Sequence, residues 1–336
     1  MSRSGRGAFA AALFAVGLAG CGGDPEALTV YAAVDRATAA PVIEAFERAE
    51  GVRLRVIHDA ESLKTVGLAE RLRREKARPT ADVWWSGETF HTARLAADGC
   101  FEPLEPDDGA AEDRRPWVEF AARLRVLVYR PDTWPFGDPP RDLAVLADPR
   151  LKGKAILARP TVGTSATHAA LLAGTAAGRA LLDAIAANDV MVVAGNAHVV
   201  TAVRKGQAWV GLTDSDDAAI GRDGDDGLAF EPARHAAELA GTDGVVVVPS
   251  SAAVVRGARH AALARRFVRF VAGPEGEALL ARSAARHLPL EPFGPSPVAP
   301  DGIPALAGLA TVPVDHAELV RHAETRMRFV AERLDR

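Results

Sequence analysis

The sequence predicts an α/β fold arranged as two lobes. Three observations carry that prediction. Short apolar strands alternate with amphipathic helices from Ala27 onward, two proline-rich breaks isolate a strand in mid-chain, and a second long apolar strand follows a second α/β region. The first lobe opens with the strand "ALTVYAAV" and the helix "TAAPVIEAFERAEG", in which Val42 and Phe46 lie one turn apart and Gly51 is the stop. "VRLRVI" alternates as a half-buried strand does, and "VGLAERLRREKA" is a charged helix in which Glu70 is spaced to pair with Arg74. "ADVWW" is a buried strand whose Trp84 and Trp85 must face opposite sides, one of them toward a cleft. "ETFHTARLAADG" is a further helix closed by glycine.

The segment "FEPLEPDDGAAEDRRPW" reads as a linker, "ARLRVLVY" as the isolated strand and "RPDTWPFGDPPRD" as the second break. A second α/β region runs from Leu143 to Leu239, with strands at "KAILA", "VMVV", "AWVGL" and "GLAF". "GVVVVPSSAAVV" is the return crossing, followed by helices "ARHAALARRFVRFVAG" and "PEGEALLARSAA" and one terminal helix from Val314 to Leu334. The expected division is a first lobe of residues 27–122 and 247–290, a second lobe of residues 123–246 and a C-terminal tail, 291–336. Two lobes joined by two crossing strands form a hinge, and the cleft beside a hinge is where small ligands bind.

The N-terminus, "MSRSGRGAFAAALFAVGLAGCGGD", has a basic start, an apolar run too short to span a bilayer and a small-residue end at Cys21. It resembles a bacterial lipoprotein signal, which implies a leader over residues 1–20, a diacylglycerol on Cys21, and residence in the periplasm or on the outer face of a membrane. Only Cys100 remains besides Cys21, so no disulfide framework holds the fold. The formal charge is −4, which loss of Arg3 and Arg6 would lower further; without a basic run, this points away from nucleic acid. No later segment reaches membrane-spanning length, so the lipid is the expected membrane attachment.

The order of "VYAAVDR", "FERAEGVRLRVIHDAESLKTVGLAERL", "ADVWWSGE", "ARLRVLVY", "LKGKAILARPTVGTSATHAALL", "GNAHVV", "GLTDSDDA" and "VVVPSSAAVV" resembles family 1 extracellular solute-binding proteins, on the ferric-iron-binding branch. The resemblance implies a hinged type II periplasmic binding protein fold and service as the monomeric receptor of an ABC importer, with its permease and ATPase as partners. It also implies that the cleft ligands come from Asp35, Glu88, Thr164 with Ser165, and Asp214 with Asp216, while Arg123 matches a position near a synergistic anion and Asn196 lies in another cleft segment. The sequence departs from that branch at the last turn, where relatives usually carry adjacent tyrosines and this chain has "TDSDD"; its only tyrosines, Tyr31 and Tyr129, fall inside strands.

Carboxylates from opposite lobes oppose each other's ionisation unless protons or a cation neutralise them. Asp35, Glu88, Asp214 and Asp216 therefore make a candidate metal set, and oxygen ligands suit hard ions such as Fe(III). The metal enters as transported cargo; no cofactor is expected. Gly163, Thr164 and Ser165 at a helix start suit an anion instead, so an organic or phosphorylated anion stands as the alternative ligand. Plain helix capping by Asp214, Ser215, Thr164 or Ser165 accounts for the same residues without any ligand. His168 is expected to face the core or solvent, and Glu61 and Lys64 to pair at a helix start. No HExxH or G-x-S-x-G pattern supports an enzyme, which leaves a metal-assisted hydrolase as a remote reading and a sensor for a membrane kinase as one that shares the fold.

Overall fold

The computed structural model of the protein describes residues 27–59, 65–104, 115–225 and 227–335. The leader, Cys21, Glu61, Lys64 and most of the expected linker lie outside the described residues. In the first lobe β1 (Leu28–Ala33), β2 (Leu54–His58) and β3 (Val83–Ser86) run parallel in the order β2-β1-β3, interleaved with α1 (Arg36–Glu50), α2 (Val66–Arg74) and α3 (Phe90–Ala97). Gly51 ends α1 in the left-handed conformation, φ 65°, where a Cβ would be strained. On α2, Glu70 pairs with Arg73 rather than Arg74, because a three-residue step also brings side chains together on a helix.

β4 (Val118–Tyr129) then crosses to the second lobe. It begins at Val118 rather than Ala122, since Val118 and Phe120 are buried in the first lobe's core and belong to the strand. In the second lobe β5 (Ala155–Ala158), α4 (Gly163–Leu172), α5 (Ala176–Ala187), β6 (Met191–Val193), α6 (Asn196–Arg204), β7 (Val210–Asp214) and α7 (Ser215–Asp223) follow. β7 lies antiparallel to β4, with β5 and β6 parallel beyond it. β8 (Ala229–Pro232), β9 (Arg234–His235) and the short α8 (Ala237–Ala240) precede β10 (Gly244–Val254), which returns between β4 and β3, antiparallel to both. Among the described residues one sheet thus runs through both lobes, with β4 and β10 as its shared spine.

α9 (Ala261–Val271) and α10 (Pro274–Arg282) close the first lobe's core, where Phe46, Trp85, Phe120 and Phe267 meet on one face of the sheet. Tyr31, Leu72 and Trp84 pack on the other face. Trp84 and Trp85 do face opposite sides, but both enter cores and neither lines the cleft. Leu127, Leu157, Leu182 and Leu212 centre the second lobe's main core.

The tail adds β11 (Thr311–Val312), α11 (His316–Arg321) and α12 (Ala323–Leu334). The single terminal helix expected from Val314 is broken at His322, because its two halves bury different faces. Leu319 and Ala323 pack between Phe90 of α3 and Ala166 and Ala170 of α4, whereas Val330 and Leu334 enter the second core. Arg326 fastens the second half by donating to the Ala170 carbonyl at 3.3 Å.

Candidate functional site

Parallel strands bind ligands at their carboxyl ends, where the following helices present free N–H groups. Here β1, β3, β5, β6 and β7 hand over to α1, α3, α4, α6 and α7 around one cavity of about 440 Å³ between the lobes. All eight residues nominated from the sequence line it. Asp35 follows β1, Glu88 follows β3, Arg123 lies on β4, Thr164 and Ser165 open α4, Asn196 opens α6, Asp214 ends β7 and Asp216 lies in the first turn of α7.

Their chemistry differs from a ring of bare carboxylates. Asp214 is 2% exposed and forms an ion pair with Arg125, itself 1% exposed. Its other oxygen accepts from Asn196 Nδ2 at 2.7 Å and from the Thr164 hydroxyl. Glu88, also buried, accepts from the backbone N–H groups of Phe90 and His91 and so caps α3; Thr167 Oγ1 of the second lobe donates to it across the cleft at 3.2 Å. Glu88 and Asp214, two of the expected metal ligands, have protein partners in this structure: Glu88 holds the start of α3 and Asp214 a buried guanidinium.

Asp216 accepts from Arg123 Nε at 2.8 Å, and Arg123 Nη1 donates to the Gly87 carbonyl at 2.8 Å, so one guanidinium spans both lobes. Burial alone would raise the Asp216 carboxyl, but Arg123 and the His287 ring hold it well below the usual carboxylate range. His287 stands 3.6 Å from Asp216 Oδ2, and burial with the neighbouring Arg123 pushes its own value down.

Four oxygen functions of the residues that line the cavity have no hydrogen-bond partner among the described residues. The Asp35 carboxylate at the N-cap of α1 is exposed and makes no side-chain cap bond. Ser165 Oγ, Asn196 Oδ1 and Asp216 Oδ1 are buried without a hydrogen-bond partner among the described residues. Thr164 and Ser165 do not cap α4, which starts from Val162 through Gly163, φ 56°. Asp214 holds the N-cap position of α7 without a side-chain cap bond, and Ser215 Oγ accepts from the Leu124 N–H instead. The side chains of Asp214, Asp216 and Asp217 bring one ligand oxygen each within 4.8 Å of one another.

Sequence reasoning missed Arg125, His287, His58 and Arg36. The last two line the cavity, and His58 Nδ1 donates to the Val34 carbonyl at 3.3 Å. Arg125 had a readable signal: two residues beyond Arg123 on a strand, it shares that residue's face. Its register partner on β7 is Asp214. His287, in a loop, had none. Neither tyrosine reaches the cavity: the Tyr31 hydroxyl donates to Glu75, and Tyr129 packs on Trp134. His168 is buried against His235, 2.6 Å between Nε2 atoms.

A curled sheet through two lobes and a polar cleft between them make the type II periplasmic binding protein fold. The chain belongs to the bacterial extracellular solute-binding proteins, whose family model matches residues 28–283. It is 28% identical over 310 residues, 86% of this chain and 90% of the relative, to the major ferric iron-binding protein of Neisseria meningitidis serogroup B. The iron-bound crystal structure of HitA from Pseudomonas aeruginosa superposes with a TM-score of 0.77 at 24% identity, covering 91% of this chain and 99% of that one. AfuA from Actinobacillus pleuropneumoniae, with fructose-6-phosphate bound, gives 0.74 at 16% identity over 92% and 98%. No helix among the described residues is long and apolar enough to cross a membrane.

Proposed function

We propose that this solute-binding protein is the receptor of an ABC importer and captures a hard metal ion, Fe(III) foremost, together with a small anion. The observation that carries the reading is the set of unpartnered oxygens, Asp35 from the first lobe and Ser165, Asn196 and Asp216 from the second, on residues lining a cavity whose other carboxylates are already matched. These four are all oxygen donors, which suit hard cations. The first-turn N–H groups of α4 and the Arg36 guanidinium would take the anion. Likeness to ferric iron-binding proteins at 28% identity supports the same cargo. Bound between the lobes, the ligand favours the closed state because only there does it touch both walls, and the permease and ATPase read that state.

A second reading, a phosphorylated organic anion, draws on the pairing of Asp214 and Asp216 with Arg125 and Arg123 and on the ligand of AfuA. Elemental analysis and native mass spectrometry of protein purified without chelators separate the two. Stoichiometric iron is expected; metal-free protein that takes up sugar phosphates instead overturns the cation reading.

The same reading makes the protein a monomer that binds without turnover, so phosphate esters incubated with it and divalent ions stay intact. It divides the chain into a first lobe of residues 27–122 and 247–290 and a second of 123–246. It also assigns a leader to residues 1–20 and a lipid to Cys21, on the sequence pattern alone, which mass spectrometry of the Cys21 peptide tests.

A further inference from the structure

The shared spine of the sheet turns at one point, and one buried carboxylate holds that point. Pairing of β4 with β10 shifts between Pro249 and Ser250: Ala122 faces Pro249, Phe120 faces Ser250, and Ala121 is the extra residue of a bulge. Its φ of 44° is left-handed, which a residue with a Cβ adopts only when its surroundings impose it. The Ala121 N–H donates to Glu277 Oε1 of α10 at 2.9 Å. Leu290 N–H donates to the same oxygen at 2.7 Å and Glu291 N–H to Oε2 at 2.8 Å, with Glu291 also left-handed at φ 58°.

Residues 286–291 form a third connection between the lobes. Leu288 exchanges both backbone hydrogen bonds with Ala122, at 2.7 and 2.9 Å, while its side chain packs on Ala218 and Ala219 of α7. Arg286 reaches Asp223 of α7 at 3.1 Å. Glu277 is 0% exposed and has no ion-pair partner among the described residues, so three backbone N–H groups alone meet its carboxylate. An apolar side chain would fill the same space without the cost of burying a charge, and space filling alone does not account for it.

We propose that Glu277 is the positioning residue of the hinge, tying the β4 bulge and the third connection to the first lobe and thereby fixing the angle and stiffness with which α7 and the cleft's second wall swing. This rests on the reading that lobe closure captures the solute, but the test needs no solute. Spin labels are placed on the full chain at Arg48→Cys of α1 and Ala184→Cys of α5, both exposed, in a Cys21→Ser background. Glu277→Gln keeps the shape but presents an amide to at least one N–H. The expected result is a broader interlobe distance distribution in ligand-free protein. With it comes faster hydrogen exchange at Ala121, Leu290 and Glu291, about tenfold or more, while amides of β7 and α5 keep their rates.

An unchanged distribution, even with lower overall stability, overturns the assignment and leaves the solute reading untouched. Should Glu277→Gln fail to fold, two measurements remain decisive. In the unaltered protein the three amides are expected to exchange with one common opening rate, and three unrelated rates overturn the proposal. Ala121→Gly, which keeps the carboxylate and suits the left-handed backbone, is expected to leave the distribution narrow; broadening there overturns it as well.

Discussion

Asp214 and Asp35 border the same cavity, yet their removal has different consequences. Asp214→Ala strands the Arg125 guanidinium in a 1% exposed position, and an unpaired buried charge costs about 3–5 kcal/mol. Denaturant titration is expected to show that loss, with any weakening of binding following from the disturbed Thr164 and Asn196. Asp35→Ala removes an exposed side chain without a cap bond, so its stability change stays within about 0.5 kcal/mol. Isothermal titration with Fe(III) citrate is expected to show affinity down by about tenfold, or ~1.4 kcal/mol. An Asp35→Ala protein that binds with unaltered affinity removes that residue from the ligand set. The sequence located both aspartates but not this difference. Arg125 and Asp214 are 89 positions apart and Arg123 and Asp216 are 93 apart, and such pairings exist only once the chain has folded.

At the level of elements, α3 and α4 both start at the cavity, one from each lobe, and the C-terminal helices sit between their flanks. Glu88→Ala deprives α3 of its cap and the cleft of the bond from Thr167, so thermal unfolding is expected to show a loss of about 1–2 kcal/mol. Leu319→Ala empties a site that is 1% exposed between Phe90 and Ala166, at a cost of about 2–5 kcal/mol. Calorimetry is the measurement for it. These elements were legible because strands and helices announce themselves by period, and most of them stand where the alternation put them. The break at His322 was not legible: the amphipathic pattern from Val314 to Leu334 reads as one helix, and only the two separate surfaces it covers divide it. Ala121 was equally silent, since nothing in "VEFAARL" marks which residue a bulge will expel.

For the molecule as a whole, acid weakens the fold through carboxylates that the native state holds ionised. Glu119, near the start of β4, accepts from His316 of α11 at 2.7 Å and pairs with Arg115 at 2.6 Å. Burial would raise its carboxyl, but these two neighbours hold it down to about 2, below the ordinary 4.5. A depressed value contributes stability that is full above about pH 4.5 and is lost as pH falls toward 2, about 3 kcal/mol in all. Stability measured against pH is expected to fall over that window and to fall less steeply in Glu119→Gln. Asp216, held low by Arg123, sustains part of the remaining slope.

The return of β10 also imposes an order of assembly. The second lobe draws most of its core from one uninterrupted stretch of chain, whereas the first must wait for residues beyond Val254, because Phe46 and Trp85 find Phe267 only after α9 exists. Contacts so distant along the chain close slowly. A polypeptide emerging amino end first therefore carries its opening strands unfinished until about 240 residues have followed Leu28, and through that interval the edge of β3 that β10 will cover is exposed to mispairing.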